Sequence, residues 1–167
     1  MSDGNAVVVG IVPNQPDRVL LTAANLAAKF DGELVCAHVD VERYTIEASA
    51  DGTVIAFPVD PDVAELVREE FDPSLAKHVR AVLADTNVRW TLRELAGEPA
   101  NELSRLADEV DAALIVVGSR QPGLRAGVRE FFSGSVAANL AHRQGRPIVV
   151  VPLSPIPDGG VLPWEQG

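Results

Sequence analysis

The chain opens on Ala6 to Val12, an almost unbroken run of apolar, mostly β-branched residues, and similar runs return at Leu34 to Val39, Ala112 to Val117 and Pro147 to Leu153. A strand with one wet face alternates apolar and polar residues. A strand without alternation must be covered on both sides. Helical patterns separate these runs. The first spans Pro16 to Phe30, with Val19, Ala23, Leu26 and Phe30 on one face, Pro16 suited to its first turn and Asp31-Gly32 ending it. Strand, helix, strand at this spacing is a crossover unit, which forces parallel pairing.

The rest of the chain repeats the unit with one interruption. Asp62 to Ala84 is helical in pattern, and Pro73 is expected to kink or split it. Val88 to Leu95 alternates, with Val88, Trp90 and Leu92 on one side and Arg89, Thr91 and Arg93 on the other, as in a half-buried strand near a sheet edge. Pro99 opens a helix carrying Leu103, Leu106 and Val110. Ser135 to Gln144 reads as a helix with Val136, Leu140 and Ala141 inward and Gly145 as its C-cap. Between the second strand and the Asp62 helix, Tyr44 to Ser49 and Thr53 to Phe57 flank Asp51-Gly52. That pattern reads as a small hairpin insertion or as an irregular loop. Five strands alternating with helices give an α/β fold, an open doubly wound parallel sheet. Residues 1–153 form one expected domain, and residues 154–167, rich in proline and glycine, a tail.

Bulk properties exclude several functions. A net charge of −10 repels phosphate backbones, which argues against nucleic-acid binding. No apolar run approaches the roughly 20 residues of a membrane span. The polar start, Met1 to Asn5, is unlike a secretory leader, and Cys36, the one cysteine, has no internal partner. The cytoplasm is the expected compartment, with Cys36 a small buried hydrophobe.

In open parallel sheets ligands bind beyond the carboxyl ends of the strands, where strand order reverses. The loops after Val12, Val39, Leu95 and Val117 are therefore the candidates, and the last is the richest. Gly118-Ser119-Arg120-Gln121-Pro122-Gly123 runs on to Ser133-Gly134-Ser135 and into a helix. Glycines let the backbone approach an anion, and a helix N-terminus offers unpaired N–H groups. Arg120, Arg125 and Arg129 add positive charge. Read on spacing alone, the segment is either a phosphate cradle or an ordinary turn with solvated arginines.

Val116-Val117-Gly118-Ser119-Arg120, Gly134-Ser135-Val136 and Arg146-Pro147-Ile148-Val149-Val150-Val151-Pro152 together resemble the universal stress protein family, and Gly97-Glu98-Pro99-Ala100 resembles a turn of that family. The resemblance covers Ala6 to Pro152. It implies a five-stranded sheet of order 3-2-1-4-5, of the adenine nucleotide alpha hydrolase-like kind. It also implies a homodimer paired through the last strand, Ile148, Val149, Val150 and Val151. ATP-binding members of the family carry Gly, two residues, Gly, nine residues, then Gly and Ser or Thr. This chain keeps Gly118 and Gly134-Ser135. However, Gln121 stands at the second glycine, Gly123 is out of register, and twelve residues separate Gln121 from Gly134. The aspartate that meets adenine at the end of the first strand is matched here by Val12, followed by Pro13 and Asn14. The resemblance thus nominates Val12, Pro13, Asn14, Val39, Gly118, Ser119, Arg120, Gly123, Gly134, Ser135 and Val136 as a degenerate nucleotide site. Arg125 and Arg129 are further candidates for phosphate.

No catalytic centre is expected. His38, His78 and His142 lie far apart, no zinc spacing occurs, and there is neither a Gly-x-Ser-x-Gly elbow nor a Walker Gly-Lys-Ser/Thr. The expected function is that of a non-enzymatic stress-response regulator with ATP binding lost or weakened. The alternative is an ATP-binding switch, taking ATP with Mg²⁺ on a reshaped longer loop, and a weak ATPase ranks below both.

Overall fold

A computed structural model describes residues 4–40, 71–119 and 136–153. In chain order the elements are β1 (Ala6–Ile11), α1 (Arg18–Lys29), β2 (Glu33–Asp40), α2 (Pro73–Leu83), β3 (Arg89–Ala96), α3 (Pro99–Glu109), β4 (Ala112–Gly118), α4 (Val136–Arg143) and β5 (Ile148–Val151). The sheet order is β3-β2-β1-β4-β5. Every pairing is parallel, with Val8 beside Val35 on one side and Ile115 on the other. The expected order 3-2-1-4-5 is therefore the observed one. The Tyr44 to Phe57 insertion, the helical pattern from Asp62 to Glu70 and the tail lie outside the described residues.

Alternation along the strands sorts the core into two layers. Val7, Val9 and Ile11, with Leu34, Cys36, Leu114 and Val116, pack under α1 and α2. Val8, Val35, Ala37, Ile115 and Val117 face the other way, against Ala100, Leu103, Leu106 and Ala107 of α3 and Leu140 of α4. Burial on both faces is why β1 and β4 show no polar alternation. β3 sits at the edge, and its exposed Arg89, Thr91 and Arg93 alternate with half-buried Trp90 and Leu92.

Local chemistry sets the boundaries and corrects several expectations. Pro73 is the first residue of α2, and Phe71 and Asp72 before it are not helical, so the pattern breaks at Pro73 as expected. Asp72 caps that helix, its Oδ1 accepting from the N–H groups of Ser74 (2.7 Å) and Leu75 (3.1 Å). Glu98 caps α3 in the same way, accepting from Ala100 and Asn101. Pro16 precedes α1 rather than opening it, because Asp17 is the N-cap. Phe30 does not face the core: it is the C-cap, off the helical face, and is 42% exposed. Asp31 takes the left-handed turn after α1 (φ 53°), as Asp111 does after α3 (φ 49°). Gly32 is needed for a different reason. A Cβ there would lie 1.9 Å from the carbonyl oxygen of Asn5. In α4 the residues turned to the core are Val136, Ala137 and Leu140, and Ala141 is exposed. Gly145 is not a left-handed cap. The end of α4 is closed by Gln144, whose Oε1 accepts from the N–H of Arg146 (2.7 Å) and whose Nε2 donates to the Arg146 carbonyl (3.0 Å).

Candidate nucleotide site

The strand order reverses between β1 and β4, and the residues nominated at their carboxyl ends come together there. Val12 follows β1 and is 37% exposed. Pro13 and Asn14 turn away from it, with Asn14 in the left-handed region (φ 61°) and the Gln15 N–H donating to the Val12 carbonyl at 3.3 Å. Val39 lies near the end of β2, half-buried against the layer beneath α3 and α4. Gly118 ends β4. The Ser119 N–H donates to the Val151 carbonyl at 2.8 Å, and its Oγ accepts from the Leu153 N–H at 2.8 Å. Val136 begins α4 and packs into the core. Arg120, Gly123, Arg125, Arg129, Gly134 and Ser135 lie outside the described residues.

Two neighbours of this mouth carried no periodicity or motif in the sequence. A Cβ on Gly118 would meet Gln15 Nε2 at 2.9 Å and the Leu153 methyls at 3.1 and 3.3 Å. The Arg18 guanidinium Nη1 donates to the Pro152 carbonyl at 2.7 Å, tying the start of α1 to the end of β5. The only available signal was proximity, since Gln15 follows the nominated Pro13-Asn14 turn directly.

Two of the three histidines are held in pairs. His38 Nδ1 lies 2.8 Å from Glu94 Oε1 between neighbouring strands, with Phe71 edge-on to its ring. His78 Nε2 pairs with Asp17 Oδ1 at 2.9 Å, so the Asp17 carboxylate links α2 to α1 instead of capping α1 through its side chain. A cleft of about 180 Å³ beside that pair is lined by Pro13, Asn14, Asp72, Ser74, Leu75 and His78. It is smaller than the roughly 300 Å³ at which ordinary ligand pockets begin. Cys36 is fully buried, and burial pushes its thiol up to about 12, so it stays protonated and is no nucleophile near neutrality. Among the described residues no group of three or more His, Cys, Asp or Glu is placed to hold a metal ion. Among them, too, no helix is long and apolar enough to cross a membrane.

The sequence profile of the universal stress protein family matches residues 5–152. The chain belongs to that family. A universal stress protein of Methanocaldococcus jannaschii is 30% identical over 146 residues, covering 84% of this chain and 79% of its own. The universal stress protein YxiE of Bacillus subtilis is 28% identical over 137 residues, covering 80% and 88%. Among solved structures, a universal stress protein in complex with cAMP superposes with a TM-score of 0.55 at 27% identity, covering 89% of this chain and 97% of that one. A family member from Burkholderia pseudomallei, at 22% identity and a TM-score of 0.58, shares the fold. For this family member the comparison fixes lineage and architecture together.

Proposed function

We propose that this family member is a non-enzymatic stress-response regulator whose adenine-nucleotide site is weakened, and that it acts by binding partners rather than by turnover. One observation carries the reading. Val12 directly follows β1 at the switch point, and its isopropyl group offers no acceptor to an exocyclic amine. Losing such a hydrogen bond costs about 1–3 kcal/mol, or roughly five- to 150-fold in affinity. The departures at Gln121 and in the loop length before Gly134 point the same way. A cytoplasmic location and a homodimer belong to the same reading. β5 is an edge strand with Val150 46% exposed, and a second copy would cover that edge.

The test is direct. Small molecules released by denaturing the purified protein are assayed, and the protein is then titrated with ATP and Mg²⁺ by calorimetry. The expected result is no stoichiometric nucleotide and weak binding, tightened at least fivefold by Val12→Asp. Micromolar affinity in the unaltered protein would favour the second reading, an ATP-binding switch in which the longer loop holds phosphates through Arg120, Arg125 or Arg129. The relative solved with cAMP at 27% identity supports that alternative.

A further inference from the structure

We propose that Gln144 at one end of β5, and Pro152 with Arg18 at the other, set how a second copy of this chain pairs with that edge: antiparallel, with Val149 opposite its own counterpart. The inference rests on the homodimer reading and deepens it by naming the residues that choose the alignment. Along a paired strand, successive residues turn their backbone groups to opposite sides. In β5 the odd-numbered positions face β4. The Pro147 carbonyl accepts from the Ile115 N–H at 3.0 Å and the Val151 carbonyl from the Ser119 N–H at 2.8 Å, while the Leu153 N–H donates to Ser119 Oγ at 2.8 Å. Arg146, Ile148, Val150 and Pro152 therefore turn their backbone groups to the open edge of the sheet.

Both ends of that edge are already engaged. At Arg146 the Gln144 carboxamide takes both backbone groups, its Oε1 accepting from the N–H at 2.7 Å and its Nε2 donating to the carbonyl at 3.0 Å. It bonds Arg146 as a neighbouring strand would. Pro152 has no N–H to offer, and its carbonyl accepts from Arg18 Nη1 at 2.7 Å. Ile148 and Val150 remain, and among the described residues no group bonds them from the open side. Two copies related by a two-fold axis across this edge pair antiparallel, and the patch that meets itself must be self-complementary. With the axis at Val149, Ile148 exchanges both bonds with the partner's Val150, and Val150 with the partner's Ile148. Every open group is then satisfied. Moving the axis to Val150 sets Ile148 against the partner's Pro152, and moving it to Ile148 sets Val150 against the partner's Arg146. Either shift faces open donors and acceptors with groups that are missing or engaged, and leaves them buried without a bond.

Cysteine cross-linking of the full chain reads the alignment. The Ile148→Cys, Val149→Cys and Val150→Cys proteins are each sized by sedimentation, oxidised with diamide and run on a non-reducing gel. Cys36 is fully buried, so the parent protein gives the uncross-linked background. In the proposed alignment Val149 faces its counterpart at about 4.5 Å between Cα atoms, within the span of a disulfide. Ile148 and Val150 each lie about 7–8 Å from their own counterparts, beyond that span. The expected result is a cross-linked dimer from Val149→Cys about fivefold or more above either neighbour, and one from a mixture of the Ile148→Cys and Val150→Cys proteins. A sedimenting dimer that cross-links best through Ile148→Cys or Val150→Cys alone, or through none of the three, overturns the alignment and leaves the dimer standing. A monomer at high concentration sinks the homodimer reading itself, and the inference with it. Gln144→Ala tests the cause. It frees the Arg146 backbone, which makes the axis at Ile148 the better bonded one, so cross-linking moves toward Ile148→Cys. An unchanged pattern would show that Gln144 does not set the alignment.

Discussion

Gly32→Ala should destabilise the protein although alanine suits the local backbone. Gly32 has no left-handed φ, so an added methyl brings no conformational penalty. On its own it would raise stability by about 0.4–1 kcal/mol through a stiffer unfolded chain. Packing opposes this. The new Cβ would stand 1.9 Å from the Asn5 carbonyl oxygen and 2.7 Å from its carbon. Real Cβ atoms essentially never come within 3.0 Å of another atom, so the two segments must part by more than an ångström. Neither is free to do so. Asn5 leads directly into β1 and Gly32 into β2, and those strands are in register from Val7 and Leu34 onward. Overpacking in a tight interior costs about 1–3 kcal/mol, and a backbone-against-backbone clash belongs at the upper end. The net expectation is a loss of about 2 kcal/mol, or a fall of about 4–8 °C in melting temperature for a chain of this size. Gly145→Ala is the control. Nothing lies within 4 Å of its Cβ position, so only the stabilising entropic effect remains. Urea unfolding followed by circular dichroism measures both, provided the m-value is unchanged. If Gly32→Ala matched or exceeded the parent in stability, the close-approach argument would be wrong.

Three further outcomes are expected. Burial holds the Cys36 thiol at about 12, above its unfolded value of about 9. Its contribution is therefore complete below pH 9 and lost as pH rises toward 12, and Cys36→Ala should flatten that alkaline slope in urea unfolding across pH 8–11. An unchanged slope would mean that other groups set it. Arg146 Nε donates to the Ala112 carbonyl at 2.7 Å, while its Nη atoms reach Asp108 and Asp111. Arg146→Ala should cost about 1–2 kcal/mol, and Arg146→Lys should recover only part of it; full recovery would show that charge alone matters. Val150→Lys places a charge on the exposed face of β5 and should convert the proposed dimer to monomer in sedimentation experiments, whereas an unaltered dimer would place the interface elsewhere.

The fold was legible because its strands are buried on both faces. Val7, Val8 and Val9 are each fully buried, and an unbroken apolar run is the direct record of that burial. The alternation in β3 likewise recorded an edge position. Helix ends were less legible because they depend on single competing contacts. Asp17 was drawn to His78, Gln144 rather than Gly145 closed α4, and Phe30 fell just past the last helical residue. At the site, Val12, Pro13, Asn14, Gly118 and Ser119 were nominated and stand together. Gln15 was missed because a polar residue in a turn looks the same whether it meets water or a neighbouring glycine. His38 left no clue to its partner, since Glu94 is distant in sequence and is brought alongside by β2–β3 pairing.

The place of β1 has a consequence for how the chain is made. β1 is synthesised first yet lies at the middle of the sheet, and its second neighbour, β4, emerges more than a hundred residues later. Until then one flank of Val7, Val8 and Val9 has no strand to bond to. A nascent chain in that condition exposes an apolar, hydrogen-bond-hungry edge, the kind of surface on which chaperones act and aggregation begins.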